Sequence, residues 1–220
     1  MERIPEPELM DEDEQARAYA LADFAEPHNR FVALFREAFP DEAITGQVLD
    51  LGCGPADVTQ RFARAFPDCR IDGVDGAERM LHYGQMILAQ AGLNTRVRLI
   101  HGYLPGAPLP HAHYDAVISN SLLHHLQNPM VLWDAIQAHA RPGAPVFVMD
   151  LMRPASREEA LALKERYAAG EPEVLQRDFF HSLLAAYRVE EVAEQLAQAG
   201  LAHLTVRAVS DRHLTVSGRL

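Results

Sequence analysis

The chain has 220 residues, 48% hydrophobic and 23% charged, with only two cysteines, Cys53 and Cys69. That balance excludes a disordered chain and a disulfide-stapled miniprotein, and leaves room for an ample core in one α/β domain. Thirty-one acids against 20 basic residues give a net charge of −11, and the basic residues form no cluster, which disfavours sequence-indifferent binding to nucleic acid.

No apolar run reaches the roughly 18 residues of a membrane span. The opening Met1-Glu2-Arg3-Ile4-Pro5-Glu6 lacks the apolar stretch of a secretory leader, so the expected address is the cytoplasm. Lys164 is the one lysine among the basic residues, in a charged helical stretch, so Schiff-base chemistry would rest on it alone.

The first fourteen residues hold seven acids and two prolines and predict a solvated arm. Helical patterns follow over about 14–24 and 29–39. In the second, Phe31, Leu34, Phe35, Ala38 and Phe39 recur at helical spacing, and Pro40 ends it. From Gly46 strands alternate with helices. Strands are expected at 48–51, 70–74, 97–100, 114–119 and 145–149, with helices to 66 and over 77–91 and 128–140. The segment 102–113 is a loop rich in Pro, Gly and His. This alternation predicts an α/β protein with a doubly wound, mostly parallel sheet.

After Asp150 a helix is expected over 156–169, with Ser156 and Glu159 spaced as a capping box. The segment 170–188 reads as irregular, and 189–199 as a helix closed by Gly200. Two final strands, 204–209 and 214–217, are joined by Ser210-Asp211-Arg212-His213, too short for a parallel crossover. They complete a seven-stranded sheet as an antiparallel hairpin, with the charged link a simple turn. Two units are expected: an N-terminal helical lid, 1–45, and a main domain, 46–220.

The chemistry begins at Asp50-Leu51-Gly52-Cys53-Gly54, a strand running through Gly-x-Gly into a helix. Glycines there let backbone approach a ligand, and the helix N-terminus presents free N–H groups. Asp75 ends the next strand about 20 residues on, where a carboxylate takes ribose hydroxyls. A dinucleotide fingerprint requires a small residue at the sixth position, where Asp57 stands, and an acid at a helix N-terminus repels a pyrophosphate. A nucleoside cofactor without phosphate has no such conflict, and Asp50 suits a cationic ligand.

The string Val48-Leu49-Asp50-Leu51-Gly52-Cys53-Gly54-Pro55 resembles the first motif of the class I S-adenosylmethionine-dependent methyltransferases. Tyr114-Asp115-Ala116-Val117-Ile118-Ser119-Asn120-Ser121-Leu122-Leu123-His124-His125-Leu126 is similar to their fourth-strand segment, and Arg141-Pro142-Gly143 to the turn before their fifth strand. The two-strand ending resembles their reversed seventh strand. The likeness runs from Gly46 to Leu220, in the manner of the small-molecule enzymes called type 11, which include ubiquinone and menaquinone biosynthesis enzymes. It implies the Rossmann-like methyltransferase fold, S-adenosylmethionine as cofactor and a small-molecule methyl acceptor.

The resemblance also implies roles for single residues. Gly52, Cys53 and Gly54 line the methionine and ribose portion, Asp50 lies near the ammonium group, and Asp75 is on the ribose hydroxyls. Gly76 and Met80 flank the adenine, and Asn120 and Ser121 sit beside the sulfonium. Where the family often has Gly-Asp, with the carboxylate on the adenine amino group, this chain has Gly102-Tyr103. Backbone groups of Tyr103 and Leu104, or stacking of the ring, are the alternatives. Ala56 replaces the third glycine.

Other candidates carry two readings each. His125, or His124, is a general base for a hydroxyl or amine acceptor, or the pair packs on its loop. Cys53 reads as a small residue under the turn and not as a nucleophile. Tyr19, His28 and Asn29 belong to a lid over cofactor and substrate, with Tyr19 reaching the cofactor, or to a solvated helix face. Phe179 and Phe180 contact substrate or fill core. His111 and His113 have chelate spacing but no third ligand in view, so no metal is expected. A nicotinamide-dependent oxidoreductase and a non-catalytic cofactor-binding module stand as alternative functions.

Overall fold

The computed structural model describes residues 1–6 and 11–220. Its strands are β1 (Gln47–Leu51), β2 (Arg70–Asp75), β3 (Val97–His101), β4 (Ala116–Asn120), β5 (Pro145–Leu151), β6 (Thr205–Ala208) and β7 (His213–Arg219). They form one sheet in the order β3-β2-β1-β4-β5-β7-β6. The first five strands run parallel, and β7 lies antiparallel between β5 and β6. The expected α/β class, seven strands and terminal hairpin are all present. Every residue of β5 is buried, as a central strand with helices on both faces must be. Chain order reverses between β1 and β4, which opens a crevice at their carboxyl ends.

Eight α-helices are described: α1 (Asp13–Leu21), α2 (Ala25–Ala38), α3 (Asp57–Ala65), α4 (Glu78–Gln90), α5 (Met130–His139), α6 (Arg157–Ala168), α7 (Glu173–Ala185) and α8 (Val189–Gln198). One core gathers Tyr114, Trp133, Ile136, Val148 and Leu196. The other gathers Phe31, Phe35, Phe62 and Phe147. The Phe35 ring lies 4.9 Å from Phe62 and 5.7 Å from Phe147, both near edge-on, a favoured geometry for aromatic quadrupoles. α2 is therefore built into a helical layer, whereas α1 rests Ala16 and Tyr19 on Ala77, Met80 and Tyr83 beside the crevice. Among the described residues no helix is long and apolar enough to cross a membrane.

Three local expectations change. α2 starts at Ala25, before Pro27, because proline is tolerated in a first turn whose N–H groups lack helical partners anyway; the Asp23 carboxylate accepts from Ala25 N at 2.9 Å. The segment 170–188, expected irregular, contains α7. Its buried faces carry Asp178 and Ser182 among Leu175, Phe180, Leu183 and Leu184, so polar residues interrupt the apolar period.

The third change is at the N-terminus, where residues 1–6 are docked by backbone and Arg3 bonds while Glu2, Ile4 and Pro5 stay exposed. Ile4 N donates to Leu184 O at 3.0 Å. Arg3 donates to Ala185 O at 2.5 Å, His124 O at 2.9 Å and Leu126 O at 3.1 Å, and its guanidinium lies 4.1 Å over the Tyr187 ring. The arm holds because one cation satisfies carbonyls left open at helix ends. Residues 11–14 are exposed as expected, and 7–10 lie outside the described residues.

The expected capping box at α6 is half as drawn. Ser156 Oγ accepts from Glu159 N at 3.2 Å, and the Glu159 carboxylate accepts from Ala155 N one residue earlier, at 2.7 Å.

Candidate active site

The turn after β1 is locked onto β2. Gly52 N and Cys53 N both donate to Val74 O, at 2.9 and 3.1 Å. Gly52 has φ +72, and a Cβ there would stand 2.8 Å from Leu122 Cβ. Gly54 has φ +51, and a Cβ there would meet nothing within 4 Å; it faces open space that a side chain would fill. The Asp75 carboxylate accepts from Gly54 N and from Ala77 N, each at 2.8 Å, and so holds the two ligand-facing turns together. Asp50 is buried at the end of β1 and accepts from Thr59 Oγ1 at 2.6 Å. Burial pushes its carboxyl up to about 7, against the opposing Thr59 hydrogen bond. Cys53 packs under the turn against Gly73, and burial raises its thiol well above the usual range, as suits an inert small residue.

These groups open on a cavity of about 1040 Å³. Gly52, Cys53, Gly54, Asp50 and Asp75 form one wall, and Gly76, Met80, Gly102, Tyr103 and Leu104 continue it. Tyr19 covers it from α1, and Asn120 and Ser121 close it at the end of β4. His28, His124, His125 and Phe179 line it as well, whereas Asn29 and Phe180 do not. Asn29 accepts from Arg61 at 2.6 Å, outside the cavity, and Phe180 packs between α6 and α7 beneath the Arg157 guanidinium.

The two histidines occupy a 3₁₀ turn, Leu123–His125. Asp150, at the end of β5, accepts from Leu123 N and Leu151 N at 2.8 Å each and meets His124 Nδ1 at 2.5 Å. Burial alone would lower the His124 imidazole, but Asp150 outweighs it, with Glu6 adding, and the group is held above its ordinary value. Glu6 Oε1 lies 3.5 Å from His124 Nε2, 3.3 Å from His125 Nδ1, and accepts from Ser182 Oγ at 2.9 Å. Burial raises the Glu6 carboxyl.

On the far wall, His28 Nδ1 and Arg61 hold Asp57 at 2.6 and 2.9 Å; burial opposes ionisation there, yet these two partners keep the carboxyl below its usual range. The residue that disqualified a dinucleotide is thus an ionised fixture of the site. Asp211-Arg212-His213 is more than a charged turn. Arg212 is buried, stacks 3.4 Å over the Tyr167 ring and meets Glu26 at 3.2 Å, tying the hairpin to α6 and α2. Glu6, Asp150 and Arg212 were not singled out from sequence. An acid closing β5 is the one local signal that would have found Asp150; the other two are placed by long-range packing.

An open sheet, a glycine turn and an acid closing the second strand form a crevice suited to a nucleoside. Comparison with known proteins points the same way. A family model described as a methyltransferase domain matches residues 48–143. An uncharacterized methyltransferase of Mycobacterium tuberculosis is 30% identical over 135 residues, which cover 61% of this chain and 66% of that one. A trans-aconitate 2-methyltransferase of Azoarcus sp. is 29% identical over 119 residues, 54% of this chain and 42% of that one. The crystal structure of an S-adenosylmethionine-dependent methyltransferase from Aquifex aeolicus superposes with a TM-score of 0.67 at 18% identity, over 94% of this chain and 97% of that one. The chain thus carries a methyltransferase domain over residues 48–143, in the fold that solved S-adenosylmethionine-dependent methyltransferases have. The matched region spans 66% of the length of the mycobacterial relatives.

Proposed function

We propose that this chain methylates a small-molecule acceptor in the cytoplasm, with no nucleic-acid partner, and that the acceptor lies between the glycine turn and the histidine pair. The observation that carries this is the continuity of the cavity. At about 1040 Å³ it exceeds what one small ligand fills, so cofactor and a small acceptor fit together. Asp75 and the glycine turn hold the ribose and methionine portions, Asp50 faces the ammonium group, and Gly102, Tyr103 and Leu104 border the base. The cofactor supplies a methyl group already activated on sulfonium. The protein's part is to align the acceptor, exclude water and take a proton where the acceptor carries one. α1 serves as the lid, with Tyr19 over the cofactor, and Phe179 and His28 border the acceptor.

The test is methyl transfer from labelled S-adenosylmethionine to a panel of small hydroxyl, amine, thiol and carboxylate compounds, trans-aconitate among them. Calorimetry with S-adenosylhomocysteine and with NAD runs alongside. Binding of the nucleoside product, rejection of NAD and transfer to one acceptor class are expected. Binding without transfer to any acceptor would leave a cofactor-binding module.

Asp75→Ala is expected to weaken S-adenosylhomocysteine by about 1.5–3 kcal/mol, the scale of hydrogen bonds to a charged acceptor. Calorimetry with unchanged affinity would show that the ribose lies elsewhere. Asp50 gives a pH signature. Its carboxyl, raised to about 7 by burial, is about half protonated near that pH and more fully so below it. A cationic amino group beside it favours the carboxylate, so binding must release a proton, and affinity must rise between about pH 6 and about pH 8. Titrations in buffers of different ionisation enthalpy measure the release, and Asp50→Asn should abolish it.

A further inference from the structure

We propose that Glu6 is a positioning residue for acceptor deprotonation, the link of a chain Asp150–His124–Glu6–His125 that the docked N-terminal arm completes. The inference rests on the reading of His125 as the base, and adds a residue that lies far outside the nucleotide-binding motifs.

The arm is anchored on both sides of the histidine turn: Arg3 bonds the carbonyls of His124 and Leu126, and Ile4 bonds Leu184. Anchoring there delivers a carboxylate behind the two histidines that line the cavity. The Glu6 side chain is about one-tenth exposed, and one of its oxygens stands within 3.5 Å of a nitrogen on each ring. Ser182 Oγ donates to the same oxygen at 2.9 Å and fixes its orientation. His124 cannot serve the acceptor directly, because Asp150 engages one of its nitrogens and Glu6 faces the other. Two carboxylates flank its imidazole and favour its protonated form, and the two rings lie 4.2 Å apart. Other titratable groups facing Glu6 are Tyr19 on α1 and Asp178 on α7, while Arg3 on the arm faces His124.

The step balances without a further reagent. The acceptor–carbon bond forms as the carbon–sulfonium bond breaks and the sulfur keeps that electron pair. The acceptor's proton passes to the His125 imidazole, Glu6 stabilises the cation so formed, and the proton leaves to water after the products depart.

The test uses the full chain with histidines isotopically labelled and saturated with S-adenosylhomocysteine. Imidazole titrations are followed by NMR in the parent, Glu6→Gln and Glu6→Asp. Glu6→Gln keeps size and the Ser182 contact but removes the charge. It is expected to lower the His124 protonation equilibrium by about tenfold, one pKa unit, with cofactor-product affinity unchanged and partial recovery in Glu6→Asp. With an acceptor found by the panel, kcat should fall by roughly 10- to 100-fold at unchanged KM, and the acid limb of the pH–rate profile should move. Superimposable titrations, or an unaltered profile, would overturn the proposal and leave Glu6 as an arm anchor. Loss of turnover in the parent on dialysis against EDTA, restored by a divalent cation, would overturn it too. If no acceptor is methylated, the functional reading fails, while the titrations still decide whether Glu6 governs the pair.

Discussion

Phe35→Ala is expected to destabilise the protein by about 3–5 kcal/mol, the usual cost of removing a fully buried phenylalanine. Phe35 is 0% exposed and packs at once against the rings of Phe39 just past α2, Phe62 on α3 and Phe147 on β5, so the hole left behind has rigid walls and collapses poorly. Urea denaturation measures the loss, and cofactor-product affinity should survive in the folded fraction. Leu21→Ala on α1, where the side chain is 72% exposed, should change stability by no more than about 0.5 kcal/mol. A small effect at Phe35 would show α2 to be peripheral like α1. The contrast divides the segment before Gly46 in two: α2 belongs to the core layer and α1 lies over the cavity.

That division shows what is legible in a chain of this kind. The apolar face of α2 could be read because its phenylalanines recur at helical spacing. That it packs under β5 could not, because Phe147 lies 112 positions away from Phe35. The glycine turn and Asp75 were legible for a local reason: strand, turn and acid fall within the 29 residues from Gln47 to Asp75, and their spacing is set by one βαβ unit. α7 was illegible because its buried face carries Asp178 and Ser182, whose partners Gln15 and Glu6 come from the other end of the chain. The same holds for the acid arm. Charge density read as solvation, but the arm also carries Arg3, and that one cation finds three carbonyls. Where a residue's partner is distant in sequence, composition misstates its environment.

The histidine turn is the site's chemical question, and His125→Asn answers it differently for different acceptors. A hydroxyl must lose its proton as the methyl group arrives, and a protonated amine must lose one beforehand to free its lone pair; loss of a general base then costs about 10²–10⁴-fold in turnover. A carboxylate acceptor, with an ordinary pKa near 4, is already ionised at neutral pH and needs no base. For a hydroxyl or amine acceptor, His125→Asn is therefore expected to reduce kcat by that factor with cofactor-product affinity unchanged. Parent activity should then decline as pH falls through the imidazole range. For a carboxylate acceptor, the variant should retain its turnover and the acid limb should be absent. The measurement is kcat against pH for parent and variant on whichever acceptor is methylated. Retained turnover on a hydroxyl or amine acceptor would mean that alignment beside Asn120 and the field of the closed cavity carry the reaction unaided. In that case His125, beside Glu6 and His124, would be a wall of the acceptor chamber and not a participant in proton transfer.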